Sequence, residues 1–376
     1  MPNTKPNIFN KQAVSAEAFL KEYWQQRPLL FRQTGIPLDG VPNKTELFSL
    51  AAQEGVQSRI IYSPDGQRYF ALYDEPEAWS EVQQQQPTLL VSDIDKWWPK
   101  SLNILSALPF IKAWRFDDLM LSYAPTGASV GAHIDQYDVF LVQVKGRRRW
   151  SFDDQPLTEL ETVDDSDLAV LKDYKPQHTV DLSAGDILYL PPRIPHHGVS
   201  LNNDCLTLSI GLRAPSAAEL ITAVADQWAQ QLPESERLQD AGNEINATAA
   251  ITVHEINYLR QQLQRLQDLT DVDLADILGQ FLSGYRLLDE VPDPSAFNQA
   301  SINNKQWRKN PVDNFSYYLL DSNQAHLYLN GEIYPTSQRF AQYLCDQSAL
   351  NSEQLTLLDD HDLVSQLING NHLIRT

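Results

Sequence analysis

The sequence contains few of the residues that build extracellular or membrane proteins. Only two cysteines occur among 376 residues, Cys205 and Cys345, and they have no CxxC spacing. Their scarcity excludes a disulfide framework and a thiolate metal site. No apolar run approaches the roughly 20 residues that span a bilayer, and the first ten residues form no hydrophobic signal segment. We therefore expect a cytoplasmic chain without a membrane partner.

Positive charge is also scarce in this chain. Lysine and arginine together number 29 against 49 aspartate and glutamate residues, which gives a formal net charge of −20. A general binder of the nucleic-acid backbone needs a basic surface, so no direct nucleic-acid binding is expected. A basic protein or peptide is the more suitable partner for an acidic chain of this length.

Short apolar or alternating runs fill residues 110 to 213, and turn residues such as Gly185-Asp186 and Pro191-Pro192 separate them. Many short strands at close spacing are typical of a β-barrel or sandwich. A helix that starts at Ser15 and ends before Pro28 is predicted ahead of them. These features predict a mainly β domain, with N-terminal helical elements, over residues 1–215.

The pattern becomes helical at Ser216, which forms a capping-box sequence with Glu219. A helical region is predicted over residues 216–286. It contains a narrow apolar seam that could pack inside the monomer or against a second copy of the chain, and the pattern leaves both possibilities open. The seam consists of Ile256, Leu259, Leu263 and Leu266.

The last part of the chain mixes helical and strand patterns. Asn330-Gly331 between two alternating runs predicts a hairpin turn, and helical runs follow it. A small winged-helix-like α+β domain is predicted over residues 287–376.

His133 and Asp135 are separated by one residue, so in a strand they project from the same face. Two histidines and one carboxylate form the facial triad that holds Fe(II) with three positions open. A third ligand is available in the pair His196-His197, which begins another predicted strand 63 positions after His133 (196 − 133). A barrel can bring these strands together. Alternation alone does not decide which of the two adjacent imidazoles is the ligand.

Three consecutive arginines follow the HxD pair. Because side chains alternate along a strand, Arg148 can point inward while Arg147 and Arg149 form a basic surface patch. A buried guanidinium needs an anion, and the distal carboxylate of a dicarboxylate co-substrate would supply it. Thr207 and Ser209 share a parity on a later strand and could add hydroxyl donors to the same ligand.

These segments, with "FLKEYWQQRPLLFR" and "FDDLM" upstream, resemble the bacterial JmjC-type ribosomal oxygenases along essentially the whole chain. The resemblance implies a double-stranded β-helix of the cupin and JmjC type, an α-helical dimerisation region and a winged-helix-like domain. It further implies dependence on Fe(II), 2-oxoglutarate and O₂, and a homodimer. The reaction it implies is hydroxylation of the β-carbon (C3) of an arginine in the large-subunit ribosomal protein numbered sixteen.

The resemblance also assigns residues. It matches the metal ligands to His133, Asp135 and His196, which selects His196 over His197, and it matches the 2-oxoglutarate anchor to Arg148. For the substrate arginine it indicates three further positions, Asp118, Met120 and Tyr137.

A carboxylate can bind a guanidinium through two hydrogen bonds, and an aromatic ring can stack on its planar face. The alternatives within this fold are a JmjC-type demethylase, a small-molecule hydroxylase or a non-catalytic metal-binding cupin.

Overall fold

The alternating runs between residues 110 and 213 form antiparallel strands, as their pattern predicts. The structure is a computed structural model that describes residues 7–10, 12–240, 249–288, 306–347, 349–357 and 361–375. Its first unit comprises Met1–Ala214 together with Leu288–Gln299, and its second comprises Pro215–Leu287 together with Ala300–Thr376. The predicted boundary at residue 287 adjoins positions 289–305, which lie outside the described residues. The division into three domains stays a prediction.

The described part of the first unit contains eleven strands and four α-helices. The strands are β1 Leu29–Phe31, β2 Ser58–Tyr62, β3 Phe70–Tyr73, β4 Thr88–Val91, β5 Phe116–Ala124, β6 Asp138–Lys145, β7 Arg147–Phe152, β8 His178–Ser183, β9 Ile187–Leu190, β10 His196–Ser200 and β11 Cys205–Leu212. The α-helices are α1 Ala16–Glu22, α2 Lys44–Ala51, α3 Trp79–Val82 and α4 Ile94–Trp97. Short 3-10 helices cover Pro76–Ala78, Gln83–Gln85, Pro99–Ala107 and Ala113–Arg115.

These strands form two antiparallel sheets. The larger sheet has the order β1-β9-β6-β11-β5-β4-β2-β3, and the smaller has the order β10-β7-β8. Apolar side chains from β6 and β9 of the larger sheet share one core cluster with side chains from β7 and β8 of the smaller sheet. The two sheets therefore pack against each other, and the space between them continues into the candidate site.

The outer face of the larger sheet is covered by the N-terminal elements. Helix α1 begins after Ser15, whose hydroxyl accepts from the amide of Ala18, and it buries Phe19 completely. Phe19 contacts the rings of Phe140 on β6 and Tyr189 on β9, with centroid separations of 6.2 and 5.0 Å. This aromatic cluster packs against β6 and β9, and the opposite face of β6 lines the candidate site.

The second unit is built from helices and two small sheets. Its α-helices are α5 Ala217–Gln231, α6 Val253–Arg265, α7 Asp271–Ser283, α8 Gln338–Asp346, α9 Ser352–Leu357 and α10 His361–Asn369, with a 3-10 turn at Leu266–Asp268. Its strands are β12 Gln306–Lys309, β13 Phe315–Leu319, β14 Gln324–Leu329, β15 Glu332–Ser337, β16 Leu350–Asn351 and β17 Leu373–Arg375. The sheet orders are β16-β12-β17 and β13-β14-β15.

Two local predictions for this unit are confirmed. Ser216 and Glu219 form a reciprocal capping box at the start of α5. Asn330 and Gly331, with φ of 51° and 89°, form the turn between β14 and β15. Both residues tolerate this left-handed backbone, which a two-residue hairpin requires. None of the described helices combines the length and apolar content needed to cross a bilayer.

Candidate active site

A pocket of about 320 Å³ opens between the two sheets of the first unit. Side chains from seven strands line it, together with the loop that precedes β6 and residues Leu168 and Ala169 of the segment between β7 and β8. The pocket is lined on one side by imidazoles and a carboxylate, and at other points by two guanidinium groups and a further carboxylate. Such convergence of polar groups in an apolar cleft is typical of a ligand site.

Three potential metal ligands meet in this pocket: His133, Asp135 and His196. Their ligand atoms all lie within 4.8 Å of one another. Nε2 of His133 is 4.0 Å from Oδ1 of Asp135, and Nε2 of His196 is 3.5 Å from Oδ2 of the same carboxylate. Metal bonds of about 2.1 Å place neighbouring donors roughly 3 Å apart, which small side-chain rotations reach from here. Two imidazoles and one carboxylate match the donor set of a non-haem iron site.

Backbone carbonyls fix the orientation of both imidazoles. Nδ1 of His133 lies 3.1 Å from the Gly131 carbonyl, and Nδ1 of His196 lies 2.9 Å from the Ile194 carbonyl. Because a carbonyl can only accept, each Nδ1 donates, and Nε2 is the ring nitrogen that faces the site. Burial, and next the neighbouring His133, lower the pKa of His196 to about 4. Its imidazole is therefore neutral at physiological pH and has a lone pair available for a metal.

The local structure of the HxD pair differs from the strand that alternation predicts. His133 makes a single antiparallel bridge with His196, through amide-to-carbonyl distances of 3.0 and 2.9 Å, and Asp135 lies in the extended loop before β6. The amide of Arg193 donates to the Asp135 carbonyl at 2.6 Å. The two side chains still reach the same space, because the segment is extended without being part of a continuous ladder.

The structure separates the two adjacent histidines at the start of β10. The side chain of His196 is 2% exposed and belongs to the triad. His197 points the other way, and its Nε2 lies 2.8 Å from the hydroxyl of Ser129. His197 lines a different cavity, beside residues 66–69 and 163–174. The structure thus brings His196, and not His197, to the other two ligands.

The three arginines alternate along β7 as predicted. Arg147 and Arg149 are exposed, and both form ion pairs with Asp181 on β8, at 3.2 and 2.7 Å. Arg148 is 4% exposed and lines the pocket. Its Nε and Nη2 atoms are buried and have no hydrogen-bond partner among the described residues. A buried guanidinium without an acceptor is unfavourable, so this group fits an anionic ligand such as a carboxylate.

Thr207 and Ser209 have different surroundings on β11. Ser209 lines the pocket, next to Gly211 of the same strand face. Thr207 is buried beyond it, does not line the pocket, and its hydroxyl donates to Oε1 of Gln143 at 3.2 Å. The structure therefore brings Ser209 into the site and leaves Thr207 outside it. The pocket ends before it reaches Thr207 and Gln143.

The three remaining predicted residues converge at one side of the pocket. Asp118 and Met120 project from the same face of β5, and Tyr137 lies in the loop before β6. A side chain at Gly211 would begin 3.4 Å from the Tyr137 ring, so the glycine leaves room for that ring. Burial, followed by the charges of Asp135 and Asp118, raises the pKa of Tyr137, which keeps its phenol neutral.

Several lining residues carry no signal in the sequence. Arg59 on β2 reaches the pocket, with Nη2 3.4 Å from the sulfur of Met120, and Thr88 on β4 lines it nearby. Both belong to strands far from the HxD motif in the chain, so nothing in their local pattern marks them. Trp150 is different: it shares the inward parity of Arg148, and the guanidinium lies 5.6 Å from its ring centroid.

The chain matches two protein-family models, a JmjC domain over residues 103–220 and a ROXA-like winged helix over residues 260–373. It is 30% identical over 377 residues to the probable ribosomal oxygenase of Haemophilus influenzae, covering 92% of this chain and 86% of that protein. It is also 30% identical over 277 residues to the ribosomal protein uL16 3-hydroxylase of Escherichia coli, covering 73% of each chain.

Solved structures of Escherichia coli YcfD have the same fold. One X-ray structure matches with a TM-score of 0.80 and 26% sequence identity, over 97% of this chain and 99% of that chain. A structure of YcfD, a ribosomal oxygenase, in complex with cobalt and 2-oxoglutarate matches with a TM-score of 0.77 over 96% and 98%. The predicted fold class, a JmjC-type β domain followed by a winged-helix domain, is confirmed.

We expect the two adjacent histidines to respond oppositely to substitution. His196→Ala should abolish binding of Co(II), measured by anaerobic isothermal titration calorimetry, because it removes a buried donor of the triad. His197→Ala should bind the ion with about the wild-type affinity, since its ring contacts Ser129 instead. His133→Ala and Asp135→Ala should behave like His196→Ala, with circular dichroism to verify folding. Loss of Co(II) binding in His197→Ala alone would show that the wrong imidazole was assigned.

Proposed function

This chain belongs to the ribosomal oxygenase family, and we propose on that basis that it hydroxylates a large-subunit ribosomal protein in the cytoplasm. It is a 2-oxoglutarate-dependent oxygenase with a JmjC domain. The finer assignment within this proposal is hydroxylation of an arginine at its β-carbon. The observation that carries it is the arrangement around one pocket of the triad, the carboxylate of Asp118 and the guanidinium of Arg148, whose Nε and Nη2 have no hydrogen-bond partner among the described residues.

His133, Asp135 and His196 are the proposed ligands of Fe(II), and Nε2 of each histidine is free to bind it. Fe(II), 2-oxoglutarate and O₂ together supply the chemistry that inserts one oxygen atom into a C–H bond. The protein determines which C–H bond is closest and keeps bulk water out. The residues that orient the substrate side chain therefore decide the product.

Arg148 is the proposed anchor for the distal carboxylate of 2-oxoglutarate. Its buried Nε and Nη2 donors offer the two-pronged geometry that a carboxylate accepts. Ser209 lines the same pocket and can add a hydroxyl donor, whereas the hydroxyl of Thr207 is already bound to Gln143. We therefore keep Ser209 and omit Thr207 from the proposed co-substrate site.

Asp118, Met120 and Tyr137 are the proposed contacts of the substrate arginine. The carboxylate of Asp118 can accept from the guanidinium, the Tyr137 ring can stack on its plane, and Met120 offers an apolar wall for the methylene groups. A cage of aromatic rings would support binding of methyl-lysine, the substrate of a demethylase. Apart from the imidazoles, the aromatic lining residues are Tyr137 and Trp150, and Trp150 lies beside Arg148. The lining therefore favours a guanidinium.

The decisive experiment is mass spectrometry of ribosomal proteins from cells with and without this chain. We expect uL16 to gain one oxygen atom, located on an arginine by fragmentation, only when the chain is present. The purified chain with Fe(II) and 2-oxoglutarate should do the same to a peptide containing that arginine, and a lysine substitution in the peptide should abolish it. Succinate formation without any modified ribosomal protein would refute the proposed substrate class.

Replacement of Arg148 should affect the co-substrate and not the substrate. Truncating one member of a buried charged pair costs on the order of 3 kcal/mol, so Arg148→Ala should raise the apparent KM for 2-oxoglutarate about a hundredfold. Arg148→Lys should recover part of this loss, because lysine keeps the positive charge but cannot form the two parallel hydrogen bonds of a guanidinium. Arg147→Ala and Arg149→Ala are matched controls, since both side chains are exposed and bind Asp181. Equal, small effects at the three positions would remove Arg148 from the site.

A homodimer formed through the helical region is also part of the proposal. Three members of the predicted apolar seam are exposed in the single chain: Ile256 at 48%, Leu259 at 59% and Leu263 at 54%. Leu266, the fourth, is half-buried and follows the end of α6. A seam inside the monomer would be covered, so this exposure favours contact with a second copy.

Charged residues in the seam should therefore disrupt the dimer. We expect the double variant Leu259→Glu/Leu263→Glu to be a folded monomer by multi-angle light scattering, because glutamates in an apolar interface lose their hydration. Gln261→Glu/Gln264→Glu, on exposed positions of the same helix, is the matched control and should stay dimeric. A dimer of the double leucine variant would place the interface elsewhere.

A further inference from the structure

Asp118 is held from behind by the segment that follows β4. Its Oδ1 accepts the backbone amide of Asp93 at 2.8 Å, one residue before helix α4 begins. A carboxylate held by a backbone donor keeps one rotamer and one orientation toward the pocket. The position of the Asp93 peptide therefore decides where the proposed substrate contact points.

The backbone of Asp93 adopts an unusual left-handed conformation. Its φ of 53° and ψ of 36° lie in the left-handed region, which is unfavourable for residues other than glycine and tolerated best by asparagine and aspartate. Strained backbone of this kind persists only where the surroundings enforce it, and it clusters at functional sites. Here the residue with the strained conformation is the one whose amide donates to Asp118.

Lys96 provides the enforcement. Its Nζ lies 2.9 Å from Oδ1 of Asp93, and the two side chains are 5% and 4% exposed. The amide of Lys96 also donates to the Asp93 carbonyl at 2.9 Å. The ion pair and this turn hydrogen bond close a small ring around the strained residue. A buried ion pair is weak evidence for stability in itself, but it is well suited to fixing one geometry.

The same lysine also acts on the charge of the cluster. Burial, together with the charges of Asp93 and Asp118, raises the pKa of Asp95 to about 7, and Lys96 opposes this rise. The carboxyl groups of Asp93, Asp95 and Asp118 therefore lie close enough to influence one another. Lys96 is thus the buried cation beside this group of carboxyl groups.

We propose that Asp93 and Lys96 form a positioning pair which holds the Asp118 carboxylate in one orientation, and thereby makes the pocket selective for a cationic side chain. This inference rests on the proposed function, in which Asp118 contacts the substrate arginine. Neither Asp93 nor Lys96 lines the pocket. They act through Asp118 and not on the substrate itself.

The test measures binding by the full chain loaded with Co(II) and 2-oxoglutarate, without O₂, to two uL16 peptides. One contains arginine at the target position and the other contains citrulline, which has the same shape without the charge. In Lys96→Met we expect the arginine peptide to bind about tenfold or more weaker, since hydrogen bonds to charged groups lose this much when misaligned. The citrulline peptide and 2-oxoglutarate should change by less than about twofold.

Controls separate positioning from a general structural effect. Lys100→Met, which removes an exposed lysine four residues later, should match the wild-type chain. Asp93→Asn keeps the backbone amide and tolerates the same conformation but frees the Lys96 charge to compete for Asp118, so it should also weaken the arginine peptide selectively. The double variant Asp93→Asn/Lys96→Met removes both charges and should recover part of the selectivity.

Equal weakening of both peptides in Lys96→Met, or no weakening of either, would overturn the positioning pair while leaving the hydroxylase assignment intact. If Lys96→Met does not fold, Asp93→Asn decides by the same comparison. Equal affinity of the wild-type chain for the arginine and citrulline peptides would instead refute the arginine assignment, before any variant is compared.

Discussion

The antiparallel bridge between His133 and His196 is the contact on which the candidate site depends. Its two backbone hydrogen bonds join the loop before β6, in the larger sheet, to the first residue of β10, in the smaller sheet. Side chains at such a bridge are brought close together whatever their separation in the sequence. The ligand set is therefore a consequence of how the two sheets meet, and Asp135 joins it because the extended loop places it two residues further on the same side.

Buried charge determines the rest of the pocket. Desolvated charges are tolerated when they are paired, and the pocket has one guanidinium, that of Arg148, with buried donors that no described residue satisfies. The carboxylate of Asp118, in contrast, is already oriented by the Asp93 amide, behind which lies the buried Asp93–Lys96 pair. In the proposed reaction the first group receives an anion and the second a cation, so two opposite charges sort co-substrate from substrate within one cleft.

Much of this arrangement could be predicted, and the failures have physical reasons. Alternation along β7 correctly separated inward Arg148 from the exposed Arg147 and Arg149, since period-two geometry needs no tertiary information. The same rule placed His133 and Asp135 on one face but assigned them to a strand, whereas the structure has a loop with one bridge. It also placed Thr207 with Ser209, although only Ser209 reaches the pocket, because parity gives the face of a strand and not how far along it a cavity extends.

The sequence by itself determined the strand-rich middle of the chain, the helical and winged-helix-like parts that follow, and the residue types able to bind iron and a dicarboxylate. These depend on local periodicity, capping and donor chemistry, which neighbouring residues carry. Tertiary structure alone decided that His197 turns to Ser129, that three members of the apolar seam, Ile256, Leu259 and Leu263, are exposed, and that Asp93 and Lys96 support Asp118. Each of these depends on contacts or solvent exposure set by the packing of the chain, and no local pattern records which surfaces the fold will cover or bring together.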